Sequence, residues 1–205
     1  GPVDTEVFTP APDQPRDPRM VLCVGRILPH KGVDRIIAAL PPGLRLVVVG
    51  RIYDERYHAL LLDMAQGKEV RFVHDADDAR LVDLYRSAAV LVQASTARDI
   101  FGNVIEKPEL MGLTTLEAMA CGLPALVSDA GSLPELVPDA RFGRVFASDD
   151  ELAARLADVA AGRWPAPGAA RQAREHVVAT HGMAAIGQRL SAADRAARAE
   201  PRWRG

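Results

Sequence analysis

The chain has 205 residues, 48% hydrophobic, 25% charged and only 5% aromatic, which fits a soluble globular protein whose core is mainly aliphatic. A net charge of −2 argues against a general electrostatic partner such as nucleic acid or an anionic membrane surface, so any anion site is local. Cys23 and Cys121 lie inside apolar runs, which speaks against a disulfide framework or a cysteine zinc site and fits a reducing cytoplasm; no signal peptide or transmembrane segment is visible.

The opening, "GPVDTEVFTPAPDQPRDP" (residues 1–18), carries five prolines and reads as a linker entering the domain rather than part of its core. Apolar strands then alternate with helical patterns: "MVLCVG", "GVDRIIAAL", "LRLVVVG", "DERYHALLLDMA", "VRFV", "DDARLVDLYRSA" and "AVLVQAS". A helix from about Leu113 to Cys121, then "PALVSD", "RVFA" and "DDELAARLADVAA", complete the alternation. Uniformly apolar strands belong in a parallel sheet covered on both faces, and strand–helix repetition predicts a doubly wound, Rossmann-like α/β domain over residues 19–163. Residues 164–205 read as two helical segments, the second fraying into a charged tail ending "PRWRG".

Open parallel sheets bind ligands beyond the carboxyl ends of their strands, where helix N-termini present free N–H groups. The first strand end, "VGRILPHKGVDR", has neither the dinucleotide fingerprint nor the P-loop pattern, but Gly25, Arg26 and Lys31 offer a two-cation clamp for a diphosphate. A solvated surface role for either cation is an equal alternative. Arg51, after the second strand, is expected at the rim, paired with a nearby acid. In "FVHDADDARL" the Asp75-Ala76-Asp77 run imitates a metal-binding D-x-D, yet an acid just before "DARLVDLY" is what a helix N-cap requires. His74 and Asp75 end a strand, where backbone groups could meet the edge of a nucleobase.

The fourth strand leads to "EKPELMGLTTLEAMACGLP". Gly112 supplies a tight turn and the helix runs to the Gly122-Leu123-Pro124 stop. Helical side chains lean toward the N-terminus, so Glu117, about one turn in, projects toward the mouth that Glu109 approaches. The helix dipole alone accounts for Glu109. Glu117, set among Leu116, Ala118, Met119 and Ala120, requires a donor: a buried arginine or the vicinal hydroxyls of a ribose.

"ELMGLTTLE" followed by "AMACGLP" resembles the Glu-x7-Glu signature of the family 4 retaining glycosyltransferases, which have the GT-B architecture. Other stretches are similar to further family motifs: "GPVDTEVFTP" to the interdomain "NGVDxxxFxP", "VGRILPHKG" to the "GRxxxxKG" phosphate loop, and "SDAGSLPELV" to the "GGxxEhV" turn. The segment "VRFVHDADDARLVDLYRSAAVLVQAS" looks like the one ending in "PS". By that resemblance, residues from about Val3 to Leu190 form the half of a GT-B enzyme that holds a nucleotide-sugar donor, UDP-linked by default, without metal or cofactor. Arg26 and Lys31 would neutralise the diphosphate, Glu117 would take the ribose hydroxyls, and Glu109 would lie beside the transferred sugar. The N–H groups of Met111, Gly112 and Leu113 would contact sugar and phosphate. Glu109, Arg26 and Lys31 are thus the candidate catalytic residues.

Two local features depart from the family pattern: the long stretch "TARDIFGNVIEKP", and Gly131-Ser132 in place of a glycine pair, with Glu135 matching only approximately. No N-terminal Rossmann-like unit precedes the opening, so the resemblance implies a C-terminal half whose last helices pack back toward the other domain. Alone it is expected to bind donor weakly and transfer nothing. Cytoplasmic location, peripheral to a membrane or not, and an Ala/Arg-rich bacterial source complete the reading. A GT-B sugar-nucleotide epimerase and a non-catalytic sugar-nucleotide module are the alternatives.

Overall fold

The computed structural model describes residues 2–199. Six strands are described: β1 (Met20–Val24), β2 (Arg45–Val49), β3 (Val70–Val73), β4 (Val90–Gln93), β5 (Ala125–Ser128) and β6 (Gly143–Phe146). They form one parallel sheet in the order β3-β2-β1-β4-β5-β6. Helices α1 (Val33–Ala39), α2 (Glu55–Met64), α3 (Asp78–Ser87), α4 (Leu113–Ala120), α5 (Leu133–Leu136) and α6 (Asp149–Ala160) follow the strands in turn. Helices α7 (Ala169–His181) and α8 (Met183–Ala199) close the chain. The order is that of the doubly wound α/β class, and it reverses between β1 and β4.

The uniform apolarity of the strands has the cause the sequence suggests. Leu22, Val24, Val47, Val49, Leu91 and Val127 face a core closed by α3, α4 and α7. Their neighbours Val21, Cys23, Leu46, Val48, Val90 and Leu126 face a second core closed by α1, α2 and α6. Each strand is therefore split by its period of two between two dry layers, and neither face can tolerate a polar residue without a partner. Both cysteines are free and buried; burial pushes the Cys23 thiol up to about 12 and Cys121 to about 11. Asp54, Asp77 and Ser148 cap α2, α3 and α6 by accepting from the N–H groups of Tyr57, Arg80 and Glu151. Asp77 thus has the capping role expected of it.

Two expectations change. The proline-rich opening belongs to the core at one point: Val3 is buried and bridges Gly182, while the Arg174 guanidinium donates to the Thr5 and Phe8 carbonyls. Arg16 likewise donates to the carbonyls of Tyr85, Ala88 and Cys121, so its guanidinium satisfies helix C-terminal groups that the composition could not reveal. Trp164, placed after the predicted domain edge, is 2% exposed in the second core. Helix α7 docks on α4 through Ala169, Ala173 and Val177. Helix α5 is too short for periodicity to show. The "PRWRG" tail lies outside the described residues. No described helix is long and apolar enough to cross a membrane.

Candidate active site

At the switch point, the carboxyl ends of β1 and β4 open into a crevice of about 360 Å³. Seven of the ten expected site residues line it: Gly25, Arg26, Lys31, Glu109, Met111, Gly112 and Leu113. Lys31 ends a 3-10 turn (Pro29–Lys31), and Gly32 then enters α1 with φ 68°. A Cβ at Gly32 would lie 2.1 Å from the Ala94 carbonyl oxygen, so only glycine lets the loop press against the end of β4. That contact fixes where Lys31 stands.

The Lys31 ammonium donates to Glu109 Oε2 at 2.9 Å and to the Pro108 carbonyl at 3.4 Å. Both side chains are largely withdrawn from water, at 14% and 16% exposure. An ammonium has three N–H donors, so one remains for an incoming anion. Gly112, in the left-handed region, caps α4 without any side-chain bond, and no acid occupies the first turn of the helix. The Gly112 N–H reaches Glu109 Oε1 only at 3.4 Å, and the first N–H groups of the helix and its positive dipole end face the crevice. On the other side, Gly131 (φ 56°) presses on the Glu109 backbone, where a Cβ would come within 2.1 Å of its carbonyl oxygen. The chain between β4 and α4 is thereby held from two sides.

Two lining residues were not singled out by sequence. Burial, reinforced by Lys31 and Arg26, holds the His30 imidazole below its ordinary range, which leaves a neutral ring in the crevice wall. Gln93, 3% exposed, donates to the Val24 carbonyl and to Thr114 Oγ1 across the floor. A lone amide ending an apolar strand was the available signal for Gln93; His30 gave none beyond its place in the loop.

The other three expected residues stand apart from this lining. Glu117 is half-buried, one turn into α4, and its donor is neither of those anticipated: the Tyr85 hydroxyl donates to Oε2 at 2.9 Å. Burial pushes the Glu117 carboxyl up, and the Tyr85 bond opposes this. His74 and Asp75 are exposed past the end of β3, with His74 Nδ1 2.9 Å from the Gly50 carbonyl oxygen and its ring stacked on Phe72. Arg51 is exposed and forms no ion pair among the described residues, contrary to expectation. Arg26 sets its guanidinium over the Tyr53 ring, 5.8 Å from the centroid.

The long stretch after β4 is ordered by its own side chains. Asp99 accepts from the N–H groups of Phe101 and Asn103, and Arg98 bridges Val104, which makes a small hairpin. Phe101 wedges edge-on against Tyr57, beneath the Arg56 guanidinium at 4.1 Å. The hairpin then delivers Lys107–Leu110 to the crevice.

A doubly wound sheet with a cation-flanked crevice at its switch point and an open helix N-terminus is the architecture of one half of a GT-B glycosyltransferase. Residues 4–176 match the family Glycosyl transferases group 1, and the chain belongs to that family. It is 30% identical over 164 residues to a GDP-mannose-dependent alpha-(1-6)-phosphatidylinositol monomannoside mannosyltransferase of Mycolicibacterium smegmatis, covering 72% of this chain and 42% of that protein. It is 32% identical over 165 residues to a D-inositol 3-phosphate glycosyltransferase of Acidothermus cellulolyticus, covering 69% and 34%. The crystal structure of AviGT4, a glycosyltransferase of avilamycin A biosynthesis, superposes with a TM-score of 0.75 at 27% identity over 95% of this chain and 56% of that one. The chain thus spans less than half the length of each of these two relatives.

Proposed function

We propose that the chain is the donor-binding half of a metal-independent, retaining, cytoplasmic glycosyltransferase. It takes a nucleoside-diphosphate sugar, UDP-linked by default, and an acceptor held mainly by a second Rossmann-like domain. The observation that carries this reading is the convergence of Arg26, Lys31 and the α4 N-terminus on one crevice beside Glu109. When the bond between the anomeric carbon and the diphosphate oxygen breaks, negative charge gathers on the leaving group, and these three groups are aimed where it gathers. The acceptor oxygen bonds to the anomeric carbon from the face the leaving group vacates, and its proton departs with the diphosphate. Glu109 lies beside the transferred sugar, poised by Lys31. Glu117 retains Oε1, which has no hydrogen-bond partner among the described residues, for a ribose hydroxyl.

The GDP-mannose named for the mycobacterial relative sets the comparison donor. Calorimetric titration with UDP, GDP, ADP and their sugar conjugates assigns the base: one diphosphate binds, and Lys31→Ala and Glu117→Ala each weaken it. If none of the three binds, the donor reading fails and a non-catalytic module is the better account. Transfer requires the second domain; the 205-residue chain alone is expected to bind without turnover.

A further inference from the structure

Residues 5–16 of the proline-rich opening are pinned across the C-terminal ends of α3 and α4 by three arginines. Arg16 joins the two helices: one guanidinium nitrogen donates to the Tyr85 and Ala88 carbonyls at 2.8 and 2.9 Å, the other to the Cys121 carbonyl at 2.8 Å. Arg174 of α7 donates to the carbonyls of Phe8 at 2.6 Å, Thr5 at 2.9 Å and Ala120, the last residue of α4, at 2.9 Å. Arg86 of α3 donates to the Thr9 carbonyl at 2.8 Å. The last carbonyls of a helix have no partner within it, so Arg16 and Arg174 supply donors that both helices need. The opening is thereby a strap that ties α3 to α4.

The strap holds Tyr85 at two points, its backbone through Arg16 and its ring through Phe8, which packs edge-on with centroids 6.1 Å apart. The Tyr85 side chain is fully buried, and its hydroxyl donates to Glu117 Oε2 at 2.9 Å. Burial and the adjoining Glu117 push that hydroxyl well above its ordinary value, so it keeps its proton and remains a donor. Glu117 Oε1 has no partner among the described residues and is not closed off from water. A carboxylate with one oxygen held presents the other in a fixed direction, whereas an unheld side chain must lose rotamer freedom when a ligand binds. Among the described residues no other side chain bonds Glu117, so its direction rests on Tyr85.

We propose that Tyr85 is a positioning residue for the donor, acting through Glu117, and that the strap of residues 5–16 sets its place, so that the seating of the opening and the grip on the ribose are coupled. The inference rests on the reading of Glu117 as the acceptor for a ribose hydroxyl. Displacing the strap loosens that grip alone. The diphosphate clamp of Arg26 and Lys31 stands on the end of β1 and the loop before α1, which none of the strap's bonds reaches.

The test is calorimetric titration of the 205-residue chain with whichever of UDP, GDP and ADP binds, set against the 2′-deoxy and 3′-deoxy forms of the same nucleotide. In the parent, at least one deoxy form is expected to bind about tenfold more weakly. Tyr85→Phe keeps the ring in the core and removes one oxygen; it should bind the nucleotide about fivefold more weakly and that deoxy form as the parent does, so the ratio falls to about two. Arg16→Lys, whose single ammonium cannot serve both helix ends, should lower nucleotide affinity about threefold and shrink the ratio in the same way. Should Arg16→Lys fail to fold, Phe8→Leu leaves the three arginines in place and carries the same expectation. A merely structural role weakens the nucleotide and its deoxy form alike and preserves the ratio. The proposal falls if Tyr85→Phe or the strap variant keeps the parent's ratio. A parent that binds a nucleotide without distinguishing its deoxy forms overturns the ribose reading of Glu117 and this proposal with it; a parent that binds none of the three overturns the donor reading itself.

Discussion

The two faces of the sheet each hold a withdrawn carboxylate bonded to a tyrosine of the neighbouring helix. On one face, Asp34 of α1 is 7% exposed and accepts from the Tyr57 hydroxyl at 2.5 Å, while that hydroxyl accepts from the Asp34 N–H at 3.1 Å. On the other, Glu117 of α4 accepts a single bond from Tyr85. Burial pushes both carboxyls up. Asp34 has two further supports, a reciprocal bond and a place in the first helical turn, where the dipole favours an anion. Glu117, a turn deeper, has neither and remains half-buried. Burial of an acid is therefore no sign of a ligand by itself; the shortage of internal support is the informative part.

The largest expected effect separates the two on stability. Tyr57→Phe deprives a buried acid and an N–H of their shared partner and should lower unfolding free energy by about 2–3 kcal/mol in a urea titration, with nucleotide affinity unchanged. Tyr85→Phe, whose acid is only half-buried, should cost about 1 kcal/mol. A loss from Tyr85→Phe as large as that from Tyr57→Phe would erase the distinction.

Ligand affinity should separate them in the opposite sense. Glu117→Ala is expected to weaken binding of the preferred nucleoside diphosphate about tenfold, some 1.4 kcal/mol, while Asp34→Asn leaves calorimetric affinity as it was. Glu117→Gln retains an acceptor for Tyr85 and removes the charge. The folded carboxyl titrates above its unfolded value, so its charge costs nothing at low pH, and the cost grows as pH rises through the folded value. The variant should accordingly match the parent in acid and exceed it by up to about 1 kcal/mol at pH 7.

The smallest expected effect concerns His30. Its imidazole is held low in the free chain, and an anion beside it raises the value. Affinity for a nucleotide sugar should thus rise a few-fold as pH falls below the ordinary histidine range, and His30→Gln should flatten that slope. A slope that survives the substitution would place the anion elsewhere.

Much of the site was legible because its residues sit at strand ends and helix starts, which apolar runs and glycines mark directly. Lys31, Glu109 and the α4 N-terminus were readable in this way. Tyr85 was not, because its hydroxyl meets Glu117 across 32 positions of sequence, and a tyrosine in "LVDLYRSA" reads only as core. Arg16 lay inside a stretch read as linker for the same reason.

The sequence by itself determined the order of elements, the doubly wound class, the core strands and the loop that carries the two cations, since periodicity and turn chemistry are local. Only the tertiary structure decided what each polar group meets: Lys31 with Glu109, Tyr85 with Glu117, and the Ser128 hydroxyl with the Ser95 carbonyl. Those pairings join residues distant in the chain through close approaches such as Gly32 on Ala94 and Gly131 on Glu109, and no local pattern encodes a distance between two strand ends.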